Sequence, residues 1–287
     1  MGKQTEIWRS ELDPERIVQT VVSHWQEAEY CEREDVLAVE EPFEVRINGE
    51  SLAVIMRTPG HDRELALGFL FSEGVISASR DVLNIESAVD ADGLPLANAV
   101  NVRLQNSGGM ACEHESGATF TRHFAVASSC GLCGKNSIAS LFQANDPLDN
   151  DELRVPISIL YDLARQLRDQ QAVFSHTGGL HAAGLFSLTG ELQLLREDIG
   201  RHNAVDKLIG HGLLHNDFPY RERLLLVSGR TSFEIIQKAL QAHIPYVIAI
   251  SAPSSLAVEL AEKSNITLVG FLRGHSLNIY THAERVI

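Results

Sequence analysis

Residues 128–135 read Ser128-Ser129-Cys130-Gly131-Leu132-Cys133-Gly134-Lys135 and form the stretch of the 287-residue chain best suited to covalent chemistry. An apolar run (Phe124, Ala125, Val126, Ala127) leads into it, and Ile138, Leu141 and Phe142 follow at helical spacing, so the cysteines are expected at a strand-to-helix junction. There the helix dipole and nearby Lys135 favour a thiolate, the reactive form of cysteine. Sulfur added to Cys130 would make a persulfide able to pass its outer atom on, and flanking glycines leave room for a donor or acceptor. Rival readings of the CxxC remain open. A structural zinc site needs four ligands, and Cys31 and Cys112 are the other cysteines available. A zinc deaminase needs His-x-Glu ahead of Pro-Cys-x-x-Cys, whereas Ser129 stands in the proline position and His282-Ala283-Glu284 comes after the cysteines. A thioredoxin-like dithiol is the strongest rival, set against the length of the chain and the mid-chain position of the motif.

Polar, glycine-rich stretches form a second group. Ser228-Gly229-Arg230-Thr231-Ser232, Ser251-Ala252-Pro253-Ser254-Ser255 and Arg273-Gly274-His275-Ser276 each follow an apolar, strand-like run. The first two open helices, whose free N–H groups and dipole favour an anion, and Arg230 and Arg273 offer bidentate contacts to phosphate. Each loop alone could be an N-cap or a turn; together they point to a phosphate-bearing ligand. Two further motifs are Ser175-His176-Thr177-Gly178-Gly179-Leu180-His181, read as a tight loop entering a strand, and Glu197-Asp198-Ile199-Gly200-Arg201-His202-Asn203, read as a loop opening a helix over 201–210. On that helix His202 shares a face with Asp206, and Asn203 with Lys207, either as a surface ion-pair face or as a binding site.

These motifs need elements to hold them. Ile17, Val18, Val21, Val22 and Trp25 suggest a short amphipathic helix within a polar tail, residues 1–35. Residues 36–127 are expected to form a small β/α subdomain. Phe43, Val45 and Ile47 alternate with polar residues, Asn48-Gly49 marks a type I′ turn, and Leu52, Val54 and Met56 complete a hairpin. A helix fits 63–73, with Gly74 to end it, and strand-like runs surround Ile85 and 100–104. Residues 128–287 are expected to be a larger α/β domain: a hairpin at 184–187 and 192–195, then strand, helix, strand, helix, strand over 224–227, 232–242, 246–250, 254–263 and 266–271. In open α/β sheets ligands bind beyond the carboxyl ends of the strands, where the three loops fall.

Composition limits the partners. The chain is 44% hydrophobic and 22% charged with a formal net charge of −14, which argues against general affinity for nucleic acid or anionic membranes, so any phosphate site is local. The start Met1-Gly2-Lys3-Gln4-Thr5-Glu6 has neither an apolar targeting core nor a lipidation pattern, and no later run reaches bilayer length; the expectation is a cytoplasmic protein.

Read together and in order, CGLCGK, HTGGLHAAG, EDIGRHNAVDK, SGRTSFEIIQKA, PSSLAVELA and GFLRGHSLNIYTH, with INGE and ELALGFLFSEGVI upstream, resemble the formate dehydrogenase accessory sulfurtransferase family, FdhD. The resemblance runs from Val36 to His282. It implies a larger domain similar in fold to cytidine deaminases, a layered α/β/α architecture without their zinc site. It implies that a cysteine desulfurase loads sulfur on Cys130, with Cys133 assisting or protecting. The sulfur would then pass to the bis-molybdopterin guanine dinucleotide molybdenum cofactor before that cofactor enters the formate dehydrogenase apoenzyme. The cofactor stretch falls on Phe271-Leu272-Arg273-Gly274-His275-Ser276, the third loop reached above from strand ends; Ser228, Gly229, Arg230, Arg201 and His202 are the other candidate contacts, and the family's proteins resemble homodimers.

Overall fold

The computed structural model describes residues 7–9, 15–105 and 146–287. The CxxC pair Cys130 and Cys133, Cys112, Lys135 and the expected strand-to-helix junction around them lie outside the described residues.

The expected N-terminal helix is a strand. After β1 (Ile7–Arg9), β2 (Ile17–Gln26) and β3 (Glu29–Ala38) pair antiparallel from Ile17↔Ala38 to Gln26↔Glu29. The apolar spacing fitted a helix, but Ile17, Val18, Thr20, Val21 and Val22 are all β-branched and favour extended backbone once a partner strand is present. The base of this ribbon packs Ile17, Val36 and Ala38 against Val173, Phe174 and Leu180.

Next comes the expected hairpin, β4 (Glu41–Ile47) and β5 (Glu50–Arg57), with Asn48 and Gly49 at φ 49° and 93° as a type I′ turn requires. Helix α1 (Asp62–Ser72) follows, then β6 (Val82–Val89) and β7 (Pro95–Leu104), in a sheet ordered β5-β4-β7-β6. Arg57, 1% exposed, fixes the start of α1 by pairing with Asp62 at 2.9 Å, with Asn98 of β7 at 2.8 Å and with Glu41 at 3.4 Å.

The second part holds α2 (Ile157–Asp169), α3 (Ala172–Thr177), the hairpin β8 (His181–Ser187) and β9 (Leu192–Asp198), and α4 (Arg201–His215). The alternating run follows: β10 (Arg223–Val227), α5 (Phe233–Gln241), β11 (Tyr246–Ala249), α6 (Ser255–Lys263), β12 (Thr267–Arg273) and β13 (Ser276–Ile279). Its sheet is ordered β13-β12-β11-β10-β8-β9, with β10, β11 and β12 parallel. Leu224, Leu226, Ile248 and Val269 face α2 through Leu160, Leu163 and Leu167; Leu225, Val227, Val247 and Leu268 face α4, α5 and α6. This is the layered α/β/α arrangement expected. Helix α2, by contrast, has no counterpart among the expected elements.

Helix α1 joins the four-stranded sheet to this sandwich by crossing α4 at two glycines. A Cβ at Gly68 would lie 1.8 Å from the backbone oxygen of Asp206, and one at Gly210 the same distance from that of Glu64. The helices therefore meet backbone to backbone, and one apolar core runs from Phe43 and Val45 through Leu65 and Leu70 to Leu208 and Leu225. Beside the crossing, Arg196 of β9 grips Glu64 of α1 through two bonds of 2.6 and 2.7 Å, with His211 Nδ1 2.9 Å from the same carboxylate. Burial opposes ionisation of Glu64, and the hydrogen bonds from Arg196, His61 and His211 overcome it, holding this carboxyl well below its ordinary range.

On an uncrowded helix Gly→Ala gains about 1 kcal/mol. Here Gly210→Ala must push α1 away from α4, and a loss of roughly 3 kcal/mol is expected by urea denaturation. An unchanged or higher midpoint would contradict the contact.

Candidate functional site

The three loops are joined edge to edge at the carboxyl ends of β10, β11 and β12. Ser228 is tied to β8 in both directions: its N–H donates to Ala182 O and its hydroxyl accepts from Ala182 N, each at 2.9 Å. Thr231 N–H donates to Ala252 O at 3.2 Å, and Ser254 N–H returns a bond to Thr231 O at 2.9 Å, which couples the first loop to the second. Phe271 N–H then donates to Ser251 O at 3.1 Å, which couples the second loop to the end of β12. Gly270 permits this, because a Cβ there would stand 3.0 Å from Pro253 and Tyr280. Phe271 adopts φ 54°, and the β12–β13 register shifts between Gly270 and Arg273.

Within residues 271–276, the stretch expected to meet a cofactor, the residues have different surroundings. Leu272 is 1% exposed in the core beneath α2, so its side chain is packed away from any ligand, whereas Phe271, Arg273, Gly274, His275 and Ser276 are exposed. The Arg273 guanidinium lies 6.0 Å from the Phe271 ring centroid, and the His275 ring meets Tyr161 of α2 edge-on at 5.0 Å. Arg230 also points into solvent, at the rim of the first loop.

Helix α4 brings its N-terminus to the same edge, and a buried ion pair holds it there. Asp198, fully buried, accepts from Gly200 N at 2.8 Å and Asn203 Nδ2 at 2.9 Å, and pairs with Lys207 Nζ at 2.7 Å. Lys207 Nζ also donates to Thr58 O at 3.0 Å. Burial lowers the proton affinity of Lys207, with the Asp198 carboxylate acting against that effect. The surface ion-pair reading of this face, one of the two left open by the sequence, is thus overturned: Asp206 and Lys207 lie inside, because the four-stranded sheet and α1 cover the side of α4 that would otherwise meet water.

Behind the first loop His202 sits between two partners. Its Nε2 is 3.0 Å from Ser232 Oγ, and its Nδ1 is 3.4 Å from Glu234 Oε2. Ser232 starts α5, yet its side chain makes no capping bond to that helix. Glu234 continues to Lys238 at 3.5 Å, Lys238 to Asp206 at 2.8 Å, and Asp206 accepts from Ser72 Oγ at 2.7 Å. Burial pushes the Glu234 carboxyl up to about 7; Lys238 counters this and Asp206 reinforces it. Lys238 is held above its ordinary value: burial works against its charge, and the carboxyls of Asp206 and Glu234 prevail. Glu234 and Lys238, four residues apart on α5, were visible as a helical pair in the sequence, but nothing there marked them as buried. His181, read in the sequence only as part of a loop entering a strand, has its ring beside Gly229, where a Cβ would lie 3.2 Å from its Nδ1. Among the described residues no group of three or more His, Cys, Asp or Glu side chains is arranged to hold a metal ion, and no helix is long and apolar enough to cross a membrane.

Fold and loop cluster together define a layered α/β protein with a row of polar loops at the carboxyl ends of its parallel strands, joined to its N-terminal strands through helix α1. The family model described as FdhD/NarQ matches residues 38–287, and the chain belongs to that family. Sulfur carrier protein FdhD of Streptomyces coelicolor is 50% identical over 258 residues, covering 88% of this chain and 90% of the relative. The protein of the same name from Mycobacterium tuberculosis is 46% identical over 271 residues, 92% of this chain and 96% of its own. The fold is shared with a crystal structure of a formate dehydrogenase accessory protein from Desulfotalea psychrophila, at TM-score 0.73 and 22% identity over 95% of this chain and 100% of that one.

Because the native state holds a proton on Glu234 up to about 7, against an ordinary value of 4.5, the native fold binds more protons than the unfolded chain between those values. That stabilising contribution, about 3 kcal/mol by linkage, is full below pH 4.5 and is lost as pH rises to about 7. Glu234→Gln should abolish this slope in urea denaturation across the same window; an identical slope in the variant would remove Glu234 as its source.

Proposed function

We propose that this chain is a sulfur carrier that takes sulfur from a cysteine desulfurase as a persulfide on Cys130 and delivers it to the bis-molybdopterin guanine dinucleotide molybdenum cofactor, for use by formate dehydrogenase. The observation that carries the reading is the family membership, with relatives about half identical over most of their length that are named sulfur carriers, in a chain with Cys130-Gly131-Leu132-Cys133. The row of loops at the strand ends supports a large anionic acceptor, since such edges present backbone N–H groups and helix N-termini to phosphate.

The chemistry is two displacements at sulfur. The Cys130 thiolate attacks the outer sulfur of the donor persulfide; a new S–S bond forms on Cys130, the donor S–S bond breaks, and the donor cysteine leaves as thiolate. In the second step an electron pair of the acceptor attacks the outer sulfur; the new bond to the acceptor forms, the S–S bond to Cys130 breaks, Cys130 leaves as thiolate, and the acceptor, as the two-electron donor, is the partner oxidised. Cys133 assists or protects the persulfide. Ser228, Gly229, Arg230, Arg201 and His202, with the exposed residues of the 271–276 turn, hold the phosphates and guanine of the acceptor. The molybdenum is cargo on this reading, and the protein works in the cytoplasm as a homodimer.

Mass spectrometry of the full chain after incubation with cysteine and a cysteine desulfurase should show one added sulfur atom, located on Cys130. Cys130→Ala should gain none and should leave formate dehydrogenase inactive in a cell that depends on this protein, while Cys133→Ala is impaired less. No added sulfur on the unmodified chain would end the carrier reading, and equal loss in the two variants would replace it with a dithiol mechanism.

A further inference from the structure

Gly229, in the middle of the first loop, is buried between two basic side chains. A Cβ placed on it would lie 3.2 Å from His181 Nδ1 and 3.3 Å from Arg201 Cδ, so only glycine lets the backbone pass between them without displacement. The loop N–H groups on either side are used: Ser228 N–H donates to Ala182 O and Thr231 N–H to Ala252 O. Those of Gly229 and Arg230 make no backbone hydrogen bond among the described residues. Arg201 Nε is likewise buried without a hydrogen-bond partner there. The acid nearest in register to His181 is Asp198, its cross-strand partner, and that carboxylate is engaged by Lys207, Gly200 and Asn203. Two basic side chains and two open N–H groups thus lie together where the adjacent carboxylate, Asp198, is already neutralised. An anion with several acceptor oxygens answers all of these at once.

We propose that His181, Arg201 and the Gly229-Arg230 backbone form a clamp for a phosphate or diphosphate group, with His181 taking up a proton as the anion binds. Arg201 supplies the permanent charge and an Nε donor. His181 supplies the conditional one. Without ligand, burial disfavours its charged form, the neighbouring Arg201 adds to that, and Asp198 offsets it only in part, so the ring's proton affinity is below the ordinary histidine value. Among the described residues these are the charged groups that act on it, Arg201 from α4 and Asp198 from β9. A bound dianion reverses the balance. Affinity is then highest at acid pH, falls as pH rises between the free and the bound pKa of His181, and levels above. The clamp rests on reading these loops as the acceptor's phosphate site, but not on the persulfide chemistry of Cys130.

The test is calorimetric titration of the full chain with GDP from about pH 6 to about pH 8, in two buffers that differ in ionisation enthalpy. The wild-type chain should take up a proton on binding. His181→Gln should lose that uptake and bind about tenfold more weakly at the acid end, converging on wild type at the alkaline end. The variant also supplies the baseline for the nucleotide's own titration. Arg201→Gln should weaken binding at every pH while proton uptake persists, and guanosine, which lacks the phosphates, should bind with no proton uptake. Absence of GDP binding overturns the clamp, as does equal proton uptake and equal affinity in wild type and His181→Gln. Should His181→Gln fail to fold, the wild-type proton count and the Arg201→Gln affinity decide the matter by themselves. If Cys130 takes up no sulfur while GDP binds with proton uptake, the carrier reading fails and the clamp stands; the converse pattern leaves the carrier and removes the clamp.

Discussion

The contact on which everything else hangs is the crossing of α1 and α4, where Gly68 and Gly210 bring two helix backbones together with no side chain between them. Helices in proteins ordinarily pack at about 8–10 Å between axes, with side chains as spacers. Removing the spacers at both contact points draws α4 against α1 along its length. The four-stranded sheet, attached to α1 through Leu65 and Leu70, becomes part of the same core as the six-stranded sheet. Two units that the sequence presents one after the other are therefore a single packed body in the described residues.

Close approach has an electrostatic consequence. The polar residues of α4 that would face water on an isolated helix are enclosed, and enclosure of an unpaired charge is costly, so each has a partner from another element. Lys207 meets Asp198, Asp206 meets Lys238 and Ser72, and Glu64 from α1 meets Arg196. These pairs fix the rotation and register of α4 more than they add to net stability, because the desolvation of both charges offsets much of their attraction. Fixing α4 fixes Arg201 and His202 at its first turn, which is how packing on one side of the sandwich sets the geometry of the loops on its edge.

At that edge the glycines and the strained turns have a shared purpose. Gly229 and Gly270 allow loops and neighbouring side chains to touch, and Phe271 at positive φ swings the end of β12 out of register so that Arg273 and His275 project beyond the sheet.

The sequence alone determined the elements whose signals are local. Alternation around Asn48-Gly49 specified a hairpin, buried apolar runs specified β10 to β12, Gly74 stopped α1, and three polar loops were placed at strand ends. The motifs in their order were enough to place the family. What the tertiary structure decided was everything that depends on a neighbour distant in the chain. Ile17 to Trp25 became a strand because β3 was there to pair with it, and Leu272 of the 271–276 stretch turned inward because α2 covers that face. Lys207 and Glu234 went from ordinary charged residues on helices to buried members of ion networks because the chain at Thr58, leading into α1, closes over the first and α4 packs its His202 against the second. Periodicity records which side of an element is apolar, but burial of a charge is set by what packs against it. That information is held in contacts between residues more than a hundred positions apart, such as Glu64 with Arg196 and Ser72 with Asp206.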